Sequence, residues 1–94
     1  MEFKEIIGKI DNFGCEHASY WGCAIAGEVG EACNLIKKYE RDGRMCIEDL
    51  ALELADIFIY TVLISQFFHI DLEMAILRKL QILKDRETEL SRGE

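Results

Sequence analysis

Four carboxylates at helical spacing are the residues most suited to chemistry in this chain. They form two pairs, Glu28-x-x-Glu31 and Glu53-x-x-Asp56, and each pair lies within or beside a run of apolar residues. An ionised carboxylate at the edge of an apolar face is costly unless a partner compensates its charge. Four such groups also repel one another, so the set is best explained by a shared cation. Oxygen-only ligands favour Mg²⁺, with Mn²⁺ as a substitute, and such ions usually serve phosphate chemistry.

Two other interpretations of the carboxylates compete with a metal site. Glutamates on helices usually form solvated faces or ion pairs with a cation four residues away. Glu28 does not fit that pattern because Trp21, Ile25 and Leu35 share its face. A di-iron bundle is the nearest chemical alternative, but such sites use Glu-x-x-His motifs. No histidine here lies three residues after a glutamate, so metal ligation by oxygen alone is the favoured hypothesis.

The elements that must position these carboxylates are predicted to be helices throughout. Proline is absent, and apolar residues recur at steps of three and four. Asp42-Gly43 suits the end of one helix and Asp71 the N-cap of another. The polar residues 86–94 are expected to fray. The predicted helices run from Glu2 to Phe13 with a break at Phe13-Gly14, from His17 or Ser19 to Arg41, from near Glu48 to about Phe68, and onward from Asp71.

The two long helices are expected to form an antiparallel hairpin joined by residues 42–47. On a helical projection Glu28 falls in the middle of the packing face and Glu31 at its border. The third helix is apolar on nearly every side, and such a helix is surrounded by protein. In a chain of 94 residues some of that protein must come from a second subunit. The predicted fold is therefore all-α, a helical hairpin with flanking helices that completes a four-helix-bundle-type core by dimerisation.

Length and composition predict one domain over residues 1–94 and exclude several function classes. The net charge of −7 argues against a nucleic-acid polymer as partner, although a bound cation can still mediate contact with a nucleotide phosphate. The longest strongly apolar run, residues 57–70, is shorter than the roughly 20 residues of a membrane span, so no membrane association is expected. Without a secretory signal or a C-x-x-C pair, we expect a cytoplasmic protein whose cysteines are reduced and mostly buried. The cysteines are Cys15, Cys23, Cys33 and Cys46.

With these residues in place, the chain resembles the MazG-like, all-α nucleoside triphosphate pyrophosphohydrolase superfamily. The resemblance extends from about Trp21 to Arg86 and rests on E-x-x-E followed, after a spacer of 21 residues, by E-x-x-D. The flanking sequences resemble the dCTP pyrophosphatase and MazG-like branch in particular. These sequences are Gly27-Glu28-Val29-Gly30-Glu31-Ala32, Asp56-Ile57-Phe58-Ile59-Tyr60, His69-Ile70-Asp71-Leu72 and Arg78-Lys79-Leu80.

The resemblance implies an enzyme that uses Mg²⁺ to hydrolyse a nucleoside triphosphate between its α and β phosphates. The products would be a monophosphate and pyrophosphate, and the role would be house-cleaning of the nucleotide pool. The resemblance also implies a homodimer or a tetramer built from paired dimers. It implies that one of the glutamates can act as the base rather than as a ligand, and that the metal is held directly or through water by Glu28, Glu31, Glu53 and Asp56.

Six further residues are candidates for binding the substrate, and each has a structural alternative. Cations on the helices can reach triphosphate oxygens or extend past the edge of the core. Aromatic side chains can stack on a base or pack in the core, and a histidine near the first acidic pair lies close to where some relatives use one. The candidates are Lys38, Lys79 and Arg86, Trp21 and Tyr60, and His17.

One departure from the dCTP-preferring relatives concerns the fourth helix. They carry an asparagine four residues beyond the lysine that matches Lys79, where this chain has Leu83, and Asp85-Arg86-Glu87 replaces their tyrosine-proline segment. Substrate identity is therefore not carried over. Two alternatives stay open: a non-catalytic helical module that dimerises or binds nucleotides, and the related phosphoribosyl-ATP pyrophosphohydrolase, which is a weaker local match.

Overall fold

Four helices make up the part of the chain that the computed structural model describes, residues 2–10 and 17–92, with side chains up to residue 90. They are α1 (Phe3–Gly8), α2 (Ala18–Asp42), α3 (Ile47–Phe67) and α4 (Leu72–Arg92). No strand occurs among these residues, which confirms the predicted all-α class. The structure contains one chain, so dimerisation stays a prediction. The predicted break at Phe13-Gly14 lies outside the described residues.

The hairpin of α2 and α3 is the largest helix–helix contact in the described chain. The glycine at its turn, Gly43, has a φ of 71°, and its N–H donates to the carbonyl of Tyr39 at 2.7 Å. This confirms the predicted left-handed cap, which glycine adopts without steric strain. Glu48 and Asp49 lie in the first turn of α3, where negative charge stabilises the positive end of the helix dipole. A link of residues 43–46 therefore suffices to reverse the chain.

The core lies between the hairpin and α1. Trp21 of α2 is 2 % exposed and meets Phe67 of α3 edge to face, with ring centroids 5.9 Å apart. On another face of α3, Phe58 packs edge to face on Phe3 of α1 at 5.8 Å. Among the described residues, the other buried ones are Ala32, Val62, Leu63 and Ser65.

The first helix is shorter than predicted, because α1 ends at Gly8 and not near Phe13. The N–H groups of Lys9 and Ile10 donate to carbonyls three residues earlier, at 3.1 Å each, so the chain leaves α1 through a tighter turn. Glycine favours this exit since it destabilises a helix interior. Ile10 continues the apolar spacing of α1, which is why the sequence predicted a longer helix. In the structure the carbonyl of Ile10 instead accepts a hydrogen bond from the side chain of Gln66 at 3.4 Å.

The corner between α3 and α4 is closed by several hydrogen bonds. His69 has a φ of 55°, the N–H of Ile70 donates to the carbonyl of Ser65 at 2.8 Å, and that of His69 donates to Gln66 at 3.2 Å. This is the Schellman pattern of a helix C-terminus. The Asp71 carboxylate then accepts the N–H of Met74 at 3.1 Å, which confirms Asp71 as the predicted N-cap.

Beyond this corner, α4 extends away from the rest of the chain. Every described side chain from Met74 onward is exposed. The radius of gyration is 16.7 Å, whereas a compact chain of this length would have about 12 Å. The helix continues to Arg92, so the predicted fraying from Arg86 is wrong. Residues of high helix propensity fill this segment, and Gln81 donates to Asp85 one turn later at 2.9 Å.

The cysteines differ from the prediction. Cys23, Cys33 and Cys46 are exposed free thiols, so the expectation that they are buried is wrong for these three. The packing face of α2 includes Trp21 and Ala32, and side chains one or two positions away from such residues point elsewhere on a helix. Cys15 lies outside the described residues.

The third helix is long and apolar enough to cross a membrane, judged by length and composition alone. Its most apolar window has a mean hydropathy of 1.6, and no other helix of the described residues passes the test. The core helix of a soluble protein passes the same test, so this finding is weak evidence for a span. The absence of membrane association and the cytoplasmic location both stay predictions.

Candidate metal centre

Three carboxylates from the two long helices come together on the hairpin. Glu28 of α2 and Glu53 and Asp56 of α3 each offer one oxygen, and these oxygens lie within 4.8 Å of one another. Residues three positions apart project from neighbouring points of one helix face, so Glu53 and Asp56 can both approach Glu28 across the hairpin. Glu28 and Glu53 are half-buried, whereas Asp56 is exposed. We refer to these three residues as the carboxylate cluster.

Two oxygens of the carboxylate cluster are buried without a partner. Glu28 Oε2 and Glu53 Oε2 are removed from solvent and have no hydrogen-bond partner among the described residues. Two ionised carboxylates have no hydrogen to share, so neither can satisfy the other. The pKa of Glu53 is raised to about 7, first by the hydrogen bond that a protonated Glu53 makes with Glu28, then by burial and by Glu31. Around neutral pH the cluster therefore needs either a proton or a cation.

The carboxylate cluster fits a hard divalent cation. Mg²⁺ holds its oxygen ligands at about 2.1 Å, so oxygens on opposite sides of the ion lie roughly 4 Å apart. The cluster is already close to that spacing, and its donors are oxygens only. Oxygen donors suit Mg²⁺ or Mn²⁺ better than zinc or copper. Both orphaned oxygens would gain the partner that they lack.

The fourth predicted ligand, Glu31, stands beside the carboxylate cluster and outside it. It is exposed, and both a hydrogen bond and its charge contribute to the raised pKa of Glu53. Glu31 and Glu53 line a cleft of about 340 Å³ together with Lys38. The structure thus places Lys38 on the same cleft as two of the predicted ligands.

Four other residues that line this cleft were not predicted from the sequence. Their helical spacing contains a usable signal, because they extend the faces of the acidic pairs by one turn. Asn34 lies three residues after Glu31, and Asp49 lies four residues before Glu53. The four residues are Asn34, Leu35, Asp49 and Leu52.

The two aromatic candidates occupy different environments. Tyr60 is half-buried, and its pKa is raised by burial first and then by Tyr20 and the charges of Glu28 and Asp56. Tyr60 is therefore within electrostatic reach of the carboxylate cluster. Trp21 is buried against Phe67 and presents almost no surface to a nucleotide base within this chain.

The remaining candidates lie away from the cleft. His17 immediately precedes α2 and borders an open concavity with Tyr20 and Cys23. Lys79 and Arg86 are exposed on α4 and do not line the carboxylate cleft. Neither makes an ion pair or hydrogen bond within the described residues. One chain therefore does not bring the cations of α4 to the carboxylates.

Comparison with known proteins relates the chain to a protein family. The model of the MazG nucleotide pyrophosphohydrolase domain matches residues 17–90. That range contains the carboxylate cluster, Glu31, the whole hairpin and most of α4. No curated protein and no solved structure matches the chain.

Proposed function

Because the chain belongs to the MazG nucleotide pyrophosphohydrolase family, we propose that it hydrolyses a nucleoside triphosphate between the α and β phosphates. The products are a nucleoside monophosphate and pyrophosphate. The observation that carries this proposal is the pair of buried, unpartnered oxygens on Glu28 and Glu53. A helical module without chemistry has no reason to keep such groups, since they destabilise the fold unless a cation compensates them.

We assign Mg²⁺ as the cofactor, with Mn²⁺ as its substitute, to the carboxylate cluster. Glu28, Glu53 and Asp56 would hold the ion, and Glu31 would hold it through a water molecule or orient that water. When bound, the cation neutralises phosphate oxygens and lowers the pKa of a coordinated water. Phosphoryl chemistry of this kind depends mainly on positioning and charge neutralisation, so a compact acidic cluster beside a cleft is sufficient protein machinery.

The other steps, accepting a proton from water and binding the nucleotide, are assigned to side chains of the chain itself. Glu31 is the carboxylate best placed to accept a proton from the attacking water, because it is exposed and adjacent to Glu53. The water oxygen forms a bond to phosphorus, the bond to the bridging oxygen breaks, and pyrophosphate leaves with that electron pair. Lys38 lines the same cleft and can pair with a phosphate oxygen. Tyr60 can contact the nucleotide from the other side of the cluster.

The substrates we propose are ordinary or modified nucleotides, and the role is house-cleaning of the nucleotide pool in the cytoplasm. A net charge of −7 supports a small, metal-complexed substrate over a nucleic-acid polymer. We also propose a homodimer or a tetramer that does not associate with a membrane. His17, Trp21, Lys79 and Arg86 line no part of the carboxylate cleft in a single chain, so any substrate contact from them requires an assembly or a movement of the helices.

The position of the α4 cations favours one alternative function. Because Lys79 and Arg86 do not line the carboxylate cleft, a module that binds nucleotides without cleaving them is the second candidate. Such a module would have the same carboxylate cluster and Lys38, but the cations of α4 would not contact the bound triphosphate.

A nucleotide hydrolysis screen tests both candidates. Purified protein is incubated with a panel of ribo- and deoxynucleoside triphosphates and Mg²⁺, and both pyrophosphate and orthophosphate are measured. We expect pyrophosphate from at least one nucleotide, no turnover by Glu53→Gln, and full turnover by Glu40→Gln, which changes an exposed glutamate of α2. Release of orthophosphate alone contradicts the proposed bond, and tight nucleotide binding without turnover favours the binding module.

A further inference from the structure

The carboxylate cleft, which lies beside the carboxylate cluster, continues from the cluster toward the turn of the hairpin. Asn34 of α2 and Asp49 of α3 line this extension, and the chemistry proposed above uses neither of them. Asn34 lies three residues after Glu31, and Asp49 lies four residues before Glu53. Both are therefore displaced by roughly 4.5–6 Å along the hairpin in the same direction. A substrate whose phosphates lie at the cluster would place another part of its structure in the extension.

The polar side chains of the extension are available to a ligand. Within the described residues, neither Asn34 nor Asp49 makes a side-chain hydrogen bond or an ion pair. An ionised carboxylate offers acceptors only, whereas an amide offers both donors and an acceptor. The two groups lie on opposite helices of the hairpin. A ligand in the extension therefore meets an acceptor on the α3 side and a mixed group on the α2 side.

The charge of the cleft argues against phosphate as the occupant of the extension. The carboxylates of Glu31, Asp49 and Glu53 line the cleft, against the single ammonium group of Lys38. Side chains lean toward the N-terminus of their own helix, so Lys38 leans back toward the cluster while Asp49 leans away from it. Anionic phosphates are thus favoured between the metal and Lys38. A neutral group is favoured beside Asp49.

Two leucines supply apolar walls for such a neutral group. Leu35 of α2 is half-buried and Leu52 of α3 is 66 % exposed, and both line the cleft. Small-molecule sites combine apolar walls with a few placed polar groups in volumes of about 300–1,000 Å³, and this cleft has about 340 Å³. A nucleobase matches this composition, because it is flat and carries its donors and acceptors on its edges.

The carboxylate of Asp49 discriminates among the bases. Its two oxygens can accept two adjacent N–H groups as a bidentate pair. Guanine offers such a pair in its ring N1–H and the amino group on C2. Adenine and cytosine have a ring nitrogen acceptor beside their amino group, and thymine and uracil have a carbonyl on each side of their ring N–H, so all four present an acceptor to the carboxylate. Asn34 can donate to O6, the remaining group on this edge of guanine.

We propose that the extension of the carboxylate cleft binds the base of the nucleotide and selects guanine. Asp49 accepts from N1–H and the amino group, Asn34 donates to O6, and Leu35 and Leu52 cover the faces of the base. This inference rests on the proposed function, since it names the substrate class of that site as guanine nucleotides. The nucleotide then lies along the hairpin, with its phosphates at the carboxylate cluster and its base toward the turn.

A reversal of base preference tests the proposal. The amide of Asp49→Asn keeps an acceptor for N1–H and adds an NH₂ donor, which suits xanthine, where a carbonyl at C2 replaces the amino group of guanine. We expect the wild-type chain to favour dGTP over dXTP and dATP by about 5- to 150-fold in kcat/KM for pyrophosphate release, the range of one bidentate pair. Asp49→Asn should favour dXTP over dGTP. Such a gain of activity cannot result from unfolding.

Glu48→Gln is the matched control for this substitution. It neutralises the adjacent exposed carboxylate of α3, which does not line the cleft, and it should keep the wild-type order of preference. Equal turnover of dGTP and dATP by the wild-type chain overturns the proposal, as does an unchanged order of preference in Asp49→Asn. Both of these results involve pyrophosphate release, so they leave the proposed function intact.

Binding of nucleotides that cannot be cleaved separates the two proposals. The probes are the α,β-methylene analogues of dGTP and dATP, titrated calorimetrically with Mg²⁺ present. Tighter binding of the guanine analogue that is lost in Asp49→Asn, with no pyrophosphate released from any triphosphate, supports the base site and contradicts hydrolysis. Equal binding of the two analogues, or binding of neither, overturns the base site.

Discussion

The third and fourth helices have the same length, 21 residues, and opposite surroundings. α3 packs along α2 and holds two groups of the carboxylate cluster, whereas α4 leaves its apolar stripe open from Ile76 to Leu90. The carboxylate cluster is thus assembled by a two-helix hairpin alone. The apolar side chains of α4, by contrast, are left exposed by the single chain. Substitutions matched between the two helical regions test that contrast.

The largest expected difference lies in the core. Trp21→Ala should lower the free energy of unfolding by about 3–5 kcal/mol, because it leaves a cavity beside Phe67. Leu80→Ala on α4 removes a side chain that is 57 % exposed in a single chain, so the cost should stay below about 1 kcal/mol at a protein concentration low enough to keep the chain monomeric. Urea denaturation at a fixed protein concentration measures both. A loss of roughly 2 kcal/mol or more for Leu80→Ala at that low concentration contradicts this difference between the core and α4, because it means that Leu80 is covered even in the monomer.

The next difference concerns turnover. Glu28→Gln removes one charge of the carboxylate cluster and should lower pyrophosphate release by at least about 100-fold, or roughly 2.7 kcal/mol of barrier. Glu89→Gln makes the same chemical change on α4, where the side chain is exposed, and should leave the rate within about twofold. Steady-state assays at saturating Mg²⁺ distinguish them. Equal losses of pyrophosphate release in both variants would show that the residues required for turnover are not confined to the hairpin.

A smaller effect follows from the raised pKa of Glu53, about 7. An acid whose pKa is raised by folding contributes stability below its unfolded pKa near 4.5, and this contribution is lost as the pH rises through 7. Mg²⁺ binds the ionised form, so it should raise the melting temperature more at about pH 8 than at about pH 6. Thermal melts with and without Mg²⁺ measure the effect. Glu53→Gln should melt with little dependence on Mg²⁺ at either pH, and an equal Mg²⁺ response in wild type and variant argues against the site.

The smallest effect belongs to the corner that joins the two regions. His69 has a φ of 55°, where glycine is free of the strain that a side chain introduces. His69→Gly should therefore stabilise the fold by about 0.5–1 kcal/mol, and His69→Ala should not. Denaturation midpoints measured in parallel check both. A destabilised glycine variant would mean that the corner is not held in the left-handed conformation in solution.

The hairpin could be predicted from sequence because its ends are chemically marked. Gly43 fixes the end of α2 and Asp71 the start of α4, and both predicted caps are confirmed. The cluster was predictable for a related reason. Carboxylates three residues apart project from one face of a helix, so those of two antiparallel helices can meet where these faces pack together. Asn34 and Asp49 were overlooked because polar residues that extend an acidic face by one turn also suit a solvated surface.

Other features depend on contacts that local pattern does not contain. The exit from α1 is set by Gly8 and the tight turn after it, whereas the apolar spacing at Ile10 suggested that the helix continues. The exposure of Cys23, Cys33 and Cys46 depends on which helix faces are packed, and a small residue is compatible with either side. The reach of α4 to Arg92 reflects helix propensity, which outweighed the polarity of the segment.

The short link between α2 and α3 has a consequence for how quickly the site folds. Every group of the carboxylate cluster lies between Glu28 and Asp56, on helices joined by residues 43–46, so the site is built from contacts close in sequence. Topologies of that kind fold in microseconds to milliseconds. In the proposed homo-oligomer, the packing of α4 against a second copy would instead be a bimolecular step, whose rate depends on protein concentration. At low protein concentration, newly made chains should therefore pass through a stage in which the hairpin and its carboxylate cluster are folded and α4 is not yet packed against a second copy.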